Sequence, residues 1–98
     1  MTHKEFNAEF EALKARYLQR LDERISRMEA ALYIHDHTAL HTEAHQLAGN
    51  GSIFGFSDIS QQAKIMEDLL RSTADPDLIR NAMERLIQAC REAQTRDR

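Results

Sequence analysis

Residues 36–57 read DHTALHTEAHQLAGNGSIFGFS. They contain a helix, the turn that follows it and the start of the next helix, and together these elements decide the fold. Apolar or small residues recur every three or four positions, at Leu40, Ala44, Leu47, Gly51 and Phe54. Because this stripe stays in phase through GNGS, we predict one helix that follows an Asp36 N-cap and stops at Gly55, a natural left-handed terminator. Each interior glycine lowers the stability of the helix by about 1 kcal/mol relative to alanine. Such a cost suggests that another group needs to approach this helix closely.

Three more amphipathic helices are predicted around this one. The first spans about residues 4–32, either as one helix or as a short helix followed by a long one. Its apolar stripe is Phe6, Phe10, Leu13, Tyr17, Leu21, Ile25, Met28 and Leu32. The third follows a Ser57 N-cap, ends near Ser72 and buries Ile59, Ala63, Met66, Leu69 and Leu70. The fourth has Asp75 as N-cap and Pro76 at its first position, with an apolar face of Leu78, Ile79, Ala82, Met83, Leu86, Ile87 and Cys90.

Short connections between these helices imply antiparallel neighbours, and therefore an all-α, antiparallel up-and-down four-helix bundle. An extra short N-terminal helix is the variant of this prediction. We predict a single domain over residues 1–98, because domains have roughly 50 to 250 residues and a chain of 98 residues is short on that scale. The polar tail after Ala93 is expected to fray. No apolar stripe is left over once four helices pack, so we expect a monomer.

The composition excludes several functions. A net charge of −3 and a sequence pI of about 5.9 argue against nucleic acid binding, which usually selects basic domains. The N-terminus lacks the apolar core of a signal peptide, and no apolar run is long enough to span a membrane. The single cysteine, Cys90, permits no intrachain disulfide and is expected to be a buried apolar residue. We expect a cytoplasmic protein, and the initial Met and complete helix set favour a free-standing one.

Four arginines follow the polar face of the first helix, at Arg16, Arg20, Arg24 and Arg27. Acidic residues are interspersed with them. We interpret this face as solvated and stabilised by pairs four residues apart. A basic docking strip for an acidic partner is the alternative.

The most unusual pattern is a row of histidines. His37, His41 and His45 are spaced four residues apart, on a face of the second helix away from its apolar stripe, so they should be exposed. Just downstream, the same face carries only small residues, at Ala48, Gly49 and Ser52. Close packing of a neighbouring helix would explain Gly51, but it explains these three residues poorly if their face is solvated. We call the surface formed by Ala48, Gly49 and Ser52 the clearing; its lack of large side chains beside an exposed imidazole would let another molecule approach closely. Neutral imidazole is a good nucleophile that can take a phosphoryl group.

The returning third helix reaches the level of His45 near residue 67, given a rise of about 1.5 Å per residue on both sides of the turn. Lys64, Glu67 and Arg71 share a face of that helix near this level. Lys64 or Arg71 could balance the charge of a phosphorylated His45. Ordinary surface charge is the alternative for both.

The stretch AHQLAGNGSIFGF, residues 44–56, resembles the signature of histidine-containing phosphotransfer (HPt) domains, and ISQQAKIMEDLL resembles their next helix. The resemblance implies a four-helix bundle in a multistep phosphorelay, in which His45 accepts a phosphoryl group from a receiver aspartate and passes it to another receiver. It implies Leu47 as the buried anchor and His41, Gln46, Gly49 and Ser52 as the receiver-docking face. It further implies a stoichiometric carrier rather than an enzyme. No cofactor is expected on this chain, because the receiver normally binds the Mg²⁺.

The chain departs from the resemblance at Ala48, where many HPt domains carry a lysine that contacts the phosphoryl group. Ala48, Gly49, Ser52, Lys64, Glu67 and Arg71 are the predicted neighbours of the phosphoryl group. We hypothesise that Arg71 or Lys64 partly substitutes for the missing lysine.

Two other functions stay open from the sequence. The first is a metal site, because His41 and His45 have metal-ligand spacing; however, the string is HTEAH rather than HExxH, and no third ligand is evident. We therefore predict no metal ligands. The second is an adaptor bundle that binds partners without chemistry. A self-contained hydrolase or kinase fits the sequence less well than either of these. The chain has no GxxxxGK loop and no convincing Ser-His-Asp set, since Ser52 lies roughly 10 Å of helical rise from His45.

Overall fold

The computed structural model describes residues 3–72 and 75–96, with side chains from residue 7 onward. These residues form four helices and no strand: α1 (His3–Tyr33), α2 (His37–Ile53), α3 (Ser57–Ser72) and α4 (Pro76–Arg96). Each helix contacts the next one in the chain, and α4 also contacts α1, which closes the bundle. The predicted all-α four-helix bundle is confirmed.

Helix α1 is one continuous helix of 31 residues, so no separate short N-terminal helix precedes it in the described residues. Tyr17, Leu21, Ile25 and Met28 are buried as predicted. Leu13 is 52% exposed, so its assignment to the core stripe is wrong. At 100° per residue, Leu13 lies about 60° from the line of Met28, at the edge of the stripe. The side chain of Phe6 lies outside the described residues.

Helix α2 runs through its glycines as predicted. The Asp36 side chain accepts a hydrogen bond from the Ala39 N–H at 3.0 Å, which confirms the N-cap. Leu40, Ala44 and Leu47 are fully buried, and the chain leaves the helix through Gly55, whose φ is +82°. That left-handed conformation favours glycine.

The seam between α2 and α3 is narrow at Gly51. A Cβ at Gly51 would lie 3.3 Å from both the Phe56 oxygen and the Ser60 nitrogen. The Ser60 hydroxyl also donates to the Ala48 carbonyl at 2.8 Å, which ties the two helices together. Close helix packing therefore accounts for Gly51, as the sequence indicates.

Local hydrogen bonds determine where α3 and α4 begin. Ser57 is not the N-cap of α3: the Phe56 carbonyl accepts the Ser60 N–H at 3.0 Å, so Ser57 is already the first residue of the helix. At the start of α4, the Asp75 side chain accepts the Asp77 N–H at 2.9 Å, which confirms Asp75 as N-cap.

Helix α4 carries much of the core, and its Leu86 and Cys90 are fully buried. Burial raises the pKa of the Cys90 thiol to about 12, in keeping with a packed, unreactive residue. Leu78 is 47% exposed and does not belong to the core, because it lies about 80° around the helix from Leu86. The helix continues past Ala93 to Arg96, while residues 97–98 lie outside the described residues. None of the described helices is long and apolar enough to span a membrane.

Candidate functional site

The site is centred on His45, midway along the exposed side of α2. Its neighbours Ala44 and Leu47 are fully buried and fix the rotation of the helix. The His45 side chain is consequently 71% exposed. Its Nδ1 atom faces inward and lies 3.1 Å from Oε2 of Glu67 on α3.

Glu67 is the one buried charged residue among those that the structure describes, with a side chain only 3% exposed. Two further basic groups approach the same Oε2 atom: His41 Nε2 and Arg71 Nη2, each at 3.7 Å. A buried carboxylate is costly unless basic groups and hydrogen bonds surround it. Three such groups around one oxygen compensate for that cost and hold the carboxylate beside His45.

The contact with Glu67 selects a tautomer of His45. A carboxylate can only accept hydrogen bonds, so the hydrogen bond to Glu67 requires the proton of a neutral His45 ring to be on Nδ1. Nε2 then keeps its lone pair on the exposed side of the ring. In this arrangement the ring is held by its inner nitrogen, and the lone pair on Nε2 is free to react with a molecule that approaches from solvent.

The clearing beside His45 is open at Gly49. A Cβ built on Gly49 would meet no atom within 4 Å, so nothing inside the molecule requires a glycine there. Ser52, one turn further, is also exposed. Ala48 differs from the prediction, because it is partly buried and packs against the core. Its small side chain therefore belongs to the seam between α2 and α3, and the open surface is formed by Gly49 and Ser52.

The two predicted basic neighbours behave differently. Arg71 pairs with Glu67 and thus joins the site. Lys64 pairs instead with Asp68, at 3.5 Å, on the exposed side of α3.

His41 is less exposed than its position in the histidine row suggests. Its side chain is 30% exposed, and its Nε2 atom is buried. The reason is that α3 passes on this side of α2 and places Glu67 against it. The His41 and His45 rings are parallel within 5°, with centroids 6.5 Å apart. His37, two turns before His45, is also partly buried.

Gln46, on the predicted docking face, is connected to α1. Arg24 Nη1 donates to Gln46 Oε1 and to Glu43 Oε2, both at 3.1 Å, and Arg27 Nε donates to Glu43 at 2.9 Å. The interpretation of these arginines as a solvated strip with local pairs is wrong for Arg24, which is mostly buried and crosses to α2. Such pairs join residues about twenty positions apart, so no local pattern could indicate them.

The residues that the structure describes contain no group of three His, Cys, Asp or Glu side chains that could hold a metal ion. His41 and His45 are both directed to one oxygen of Glu67 instead. Of the two, only His45 is within hydrogen-bond distance of that oxygen, at 3.1 Å, while His41 Nε2 is 3.7 Å away.

Comparison with known proteins gives one match. The family model for the Hpt domain matches residues 12–96 of the 98-residue chain. The matched segment contains most of α1 and all of α2, α3 and α4. Searches against curated proteins and against solved structures found no significant match.

Proposed function

The chain belongs to the Hpt domain family, whose members take part in histidine phosphotransfer in phosphorelays, and we propose that His45 is its phosphoacceptor. The observation that carries this proposal is the pairing of His45 Nδ1 with the buried Glu67, which leaves Nε2 exposed with a free lone pair. The proposed donor is an aspartyl phosphate on a receiver domain. The proposed acceptor is the aspartate of a second receiver.

The transfer follows from the same geometry. The Nε2 lone pair attacks phosphorus, the new N–P bond forms, and the bond from phosphorus to the aspartate oxygen breaks. The electron pair of that bond stays on the receiver's carboxylate. The His45 ring, which still carries the proton on Nδ1, becomes cationic, and the Glu67 carboxylate stabilises that charge at 3.1 Å. Reversal of these steps onto another aspartate returns His45 to its starting form.

In-line attack requires the donor to come within about 3–3.5 Å of Nε2. The receiver must therefore lie directly on the surface of α2. The open space at Gly49 and the exposed Ser52 permit that approach. In this proposal the chain is a stoichiometric carrier, and Mg²⁺ belongs to the receiver rather than to this chain.

The test is incubation of the protein with a phosphorylated receiver domain, beside His45→Gln and a control, His37→Gln. Wild type and the control are expected to gain a phosphoryl group that is labile in acid and stable in base, as a phosphohistidine is. His45→Gln is expected to gain none while keeping its helical circular dichroism. Labelling of folded His45→Gln at the wild-type rate would contradict the assignment of His45.

A further inference from the structure

His41 holds a buried polar atom that the proposed function does not use. Its Nε2 has no hydrogen-bond partner among the described residues, although the atom is almost completely shielded from solvent. The nearest charged group is Glu67 Oε2, at 3.7 Å. That distance exceeds a hydrogen bond, and it closes with a small shift of either side chain.

We propose that His41 is a positioning residue for the phosphotransfer site, and that Glu67 holds His41 and His45 in opposite tautomers. This inference rests on the proposed function, because the role of His41 is to orient the carboxylate that orients His45. Glu67 faces Nδ1 of His45 but Nε2 of His41. Since a carboxylate can only accept, His45 carries its proton on Nδ1 and His41 carries its proton on Nε2.

The other charged groups around the site are less suited than His41 to position the Glu67 carboxylate. Arg24 and Arg27 from α1 are bound to Glu43. On α3, Lys64 pairs with Asp68, and Arg71 approaches Glu67 with a side chain that is 60% exposed to competing water. His41 Nε2 is the group with a shielded approach to Oε2, from the turn of α2 that precedes His45.

The consequence for transfer concerns the lone pair of His45. A carboxylate held from two sides keeps its oxygen on Nδ1 of His45. If the carboxylate moves away, the His45 ring populates both tautomers. The form with the proton on Nε2 has its lone pair on Nδ1, on the side of the ring that faces α3, and so has none on Nε2 to attack phosphorus. His41 therefore increases the fraction of His45 that is ready to react.

Side-chain ¹⁵N NMR of the histidines, recorded on the intact protein at about pH 8, tests the tautomers directly. Wild type is expected to show His41 protonated on Nε2 and His45 protonated on Nδ1. In Glu67→Gln, both histidines are expected to lose these fixed tautomers. His41 found with its proton on Nδ1, or unchanged in folded Glu67→Gln, would overturn the proposal.

Transfer rates test the positioning role. His41→Phe keeps a ring but no donor, and it is expected to slow phosphoryl acceptance about twofold to tenfold, the net effect of one hydrogen bond. His41→Gln keeps an N–H donor and is expected to restore most of the rate, while His37→Phe is the matched control. A wild-type rate in His41→Phe would overturn the proposal. If wild type accepts no phosphoryl group at all but shows both fixed tautomers, the proposed function fails while the tautomer assignment stands.

Discussion

Gly49 and Gly51 lie two residues apart on α2, but one has open space around it and the other is closely packed. A side chain at Gly51 would press on the backbone of residues 56 and 60 at 3.3 Å. A side chain at Gly49 would meet nothing within 4 Å. The fold therefore requires a small residue at position 51, whereas no packing contact requires one at position 49, where the proposed docking of a receiver domain would make use of the open space.

This difference separates the two faces of α2. One face, with Leu40, Ala44, Leu47 and Gly51, holds the bundle together. The other face, with His45, Gly49 and Ser52, faces outward and does not pack into the core; of these three residues, His45 contacts the buried Glu67, whereas a side chain at Gly49 would meet no atom within 4 Å. Substitutions on the two faces should accordingly change different measurements, stability on one face and phosphotransfer on the other.

The largest effect is expected from the adjacent pair Leu47 and Gln46. Leu47→Ala removes a fully buried side chain and should lower the free energy of unfolding by about 2–5 kcal/mol. Gln46→Ala removes an exposed side chain with one hydrogen bond to Arg24, and should cost about 1 kcal/mol or less. Urea unfolding measures both, and alkylation of the buried Cys90 reports opening independently. Equal losses in the two variants would contradict the division of α2 into two faces.

The next effect concerns Gly51. Gly51→Leu forces a side chain into a seam lined by backbone atoms that cannot rotate away, and should cost about 1–3 kcal/mol. The control is Gly49→Leu, for which helix propensity predicts unchanged or slightly higher stability, by up to about 1 kcal/mol. The same urea experiment compares them. A Gly51→Leu protein as stable as Gly49→Leu would show that the seam can open without cost.

The same Gly49→Leu protein should show the reverse pattern in phosphotransfer. A leucine on the open surface one turn from His45 would hold the receiver away, and we expect transfer to slow about tenfold or more, since a small misplacement of reacting atoms is costly. Gly49→Ala adds only one methyl group, so its transfer rate is expected to lie between those of wild type and Gly49→Leu. Transfer from phosphorylated receiver is followed at several receiver concentrations. Wild-type rates in Gly49→Leu would mean that the receiver uses another part of the surface.

The smallest effect is expected at the basic neighbours of the site. Arg71 is 3.7 Å from Glu67 but largely exposed, so Arg71→Ala should shorten the lifetime of the phosphohistidine only about twofold, and less at high salt. Lys64→Ala is the control with no expected change, because Lys64 pairs with Asp68. Acid-quenched time courses measure the lifetimes. Unchanged lifetimes in both variants would show that neither residue replaces the lysine absent at Ala48.

The sequence by itself determined the helices, the caps at Asp36 and Asp75, the terminator at Gly55 and the face that carries His45. These features depend on periodicity and on hydrogen bonds within a few residues, so a linear pattern contains them. It also indicated the level of Glu67 opposite His45, because both helices rise equally from the same turn.

Only the tertiary structure decided which residues at the edge of each pattern are buried and which atoms meet. Leu13 and Leu78 lie at the edges of their apolar stripes, about 60° from Met28 and about 80° from Leu86, and the packing of the bundle leaves these edge positions exposed. His41 is half-buried because α3 places Glu67 against it. The cross-links from Arg24 to Glu43 and Gln46 join distant parts of the chain. The choice of Nδ1 rather than Nε2 of His45 for Glu67 depends on distances of a few ångström between two helices, and no spacing along one chain contains that information.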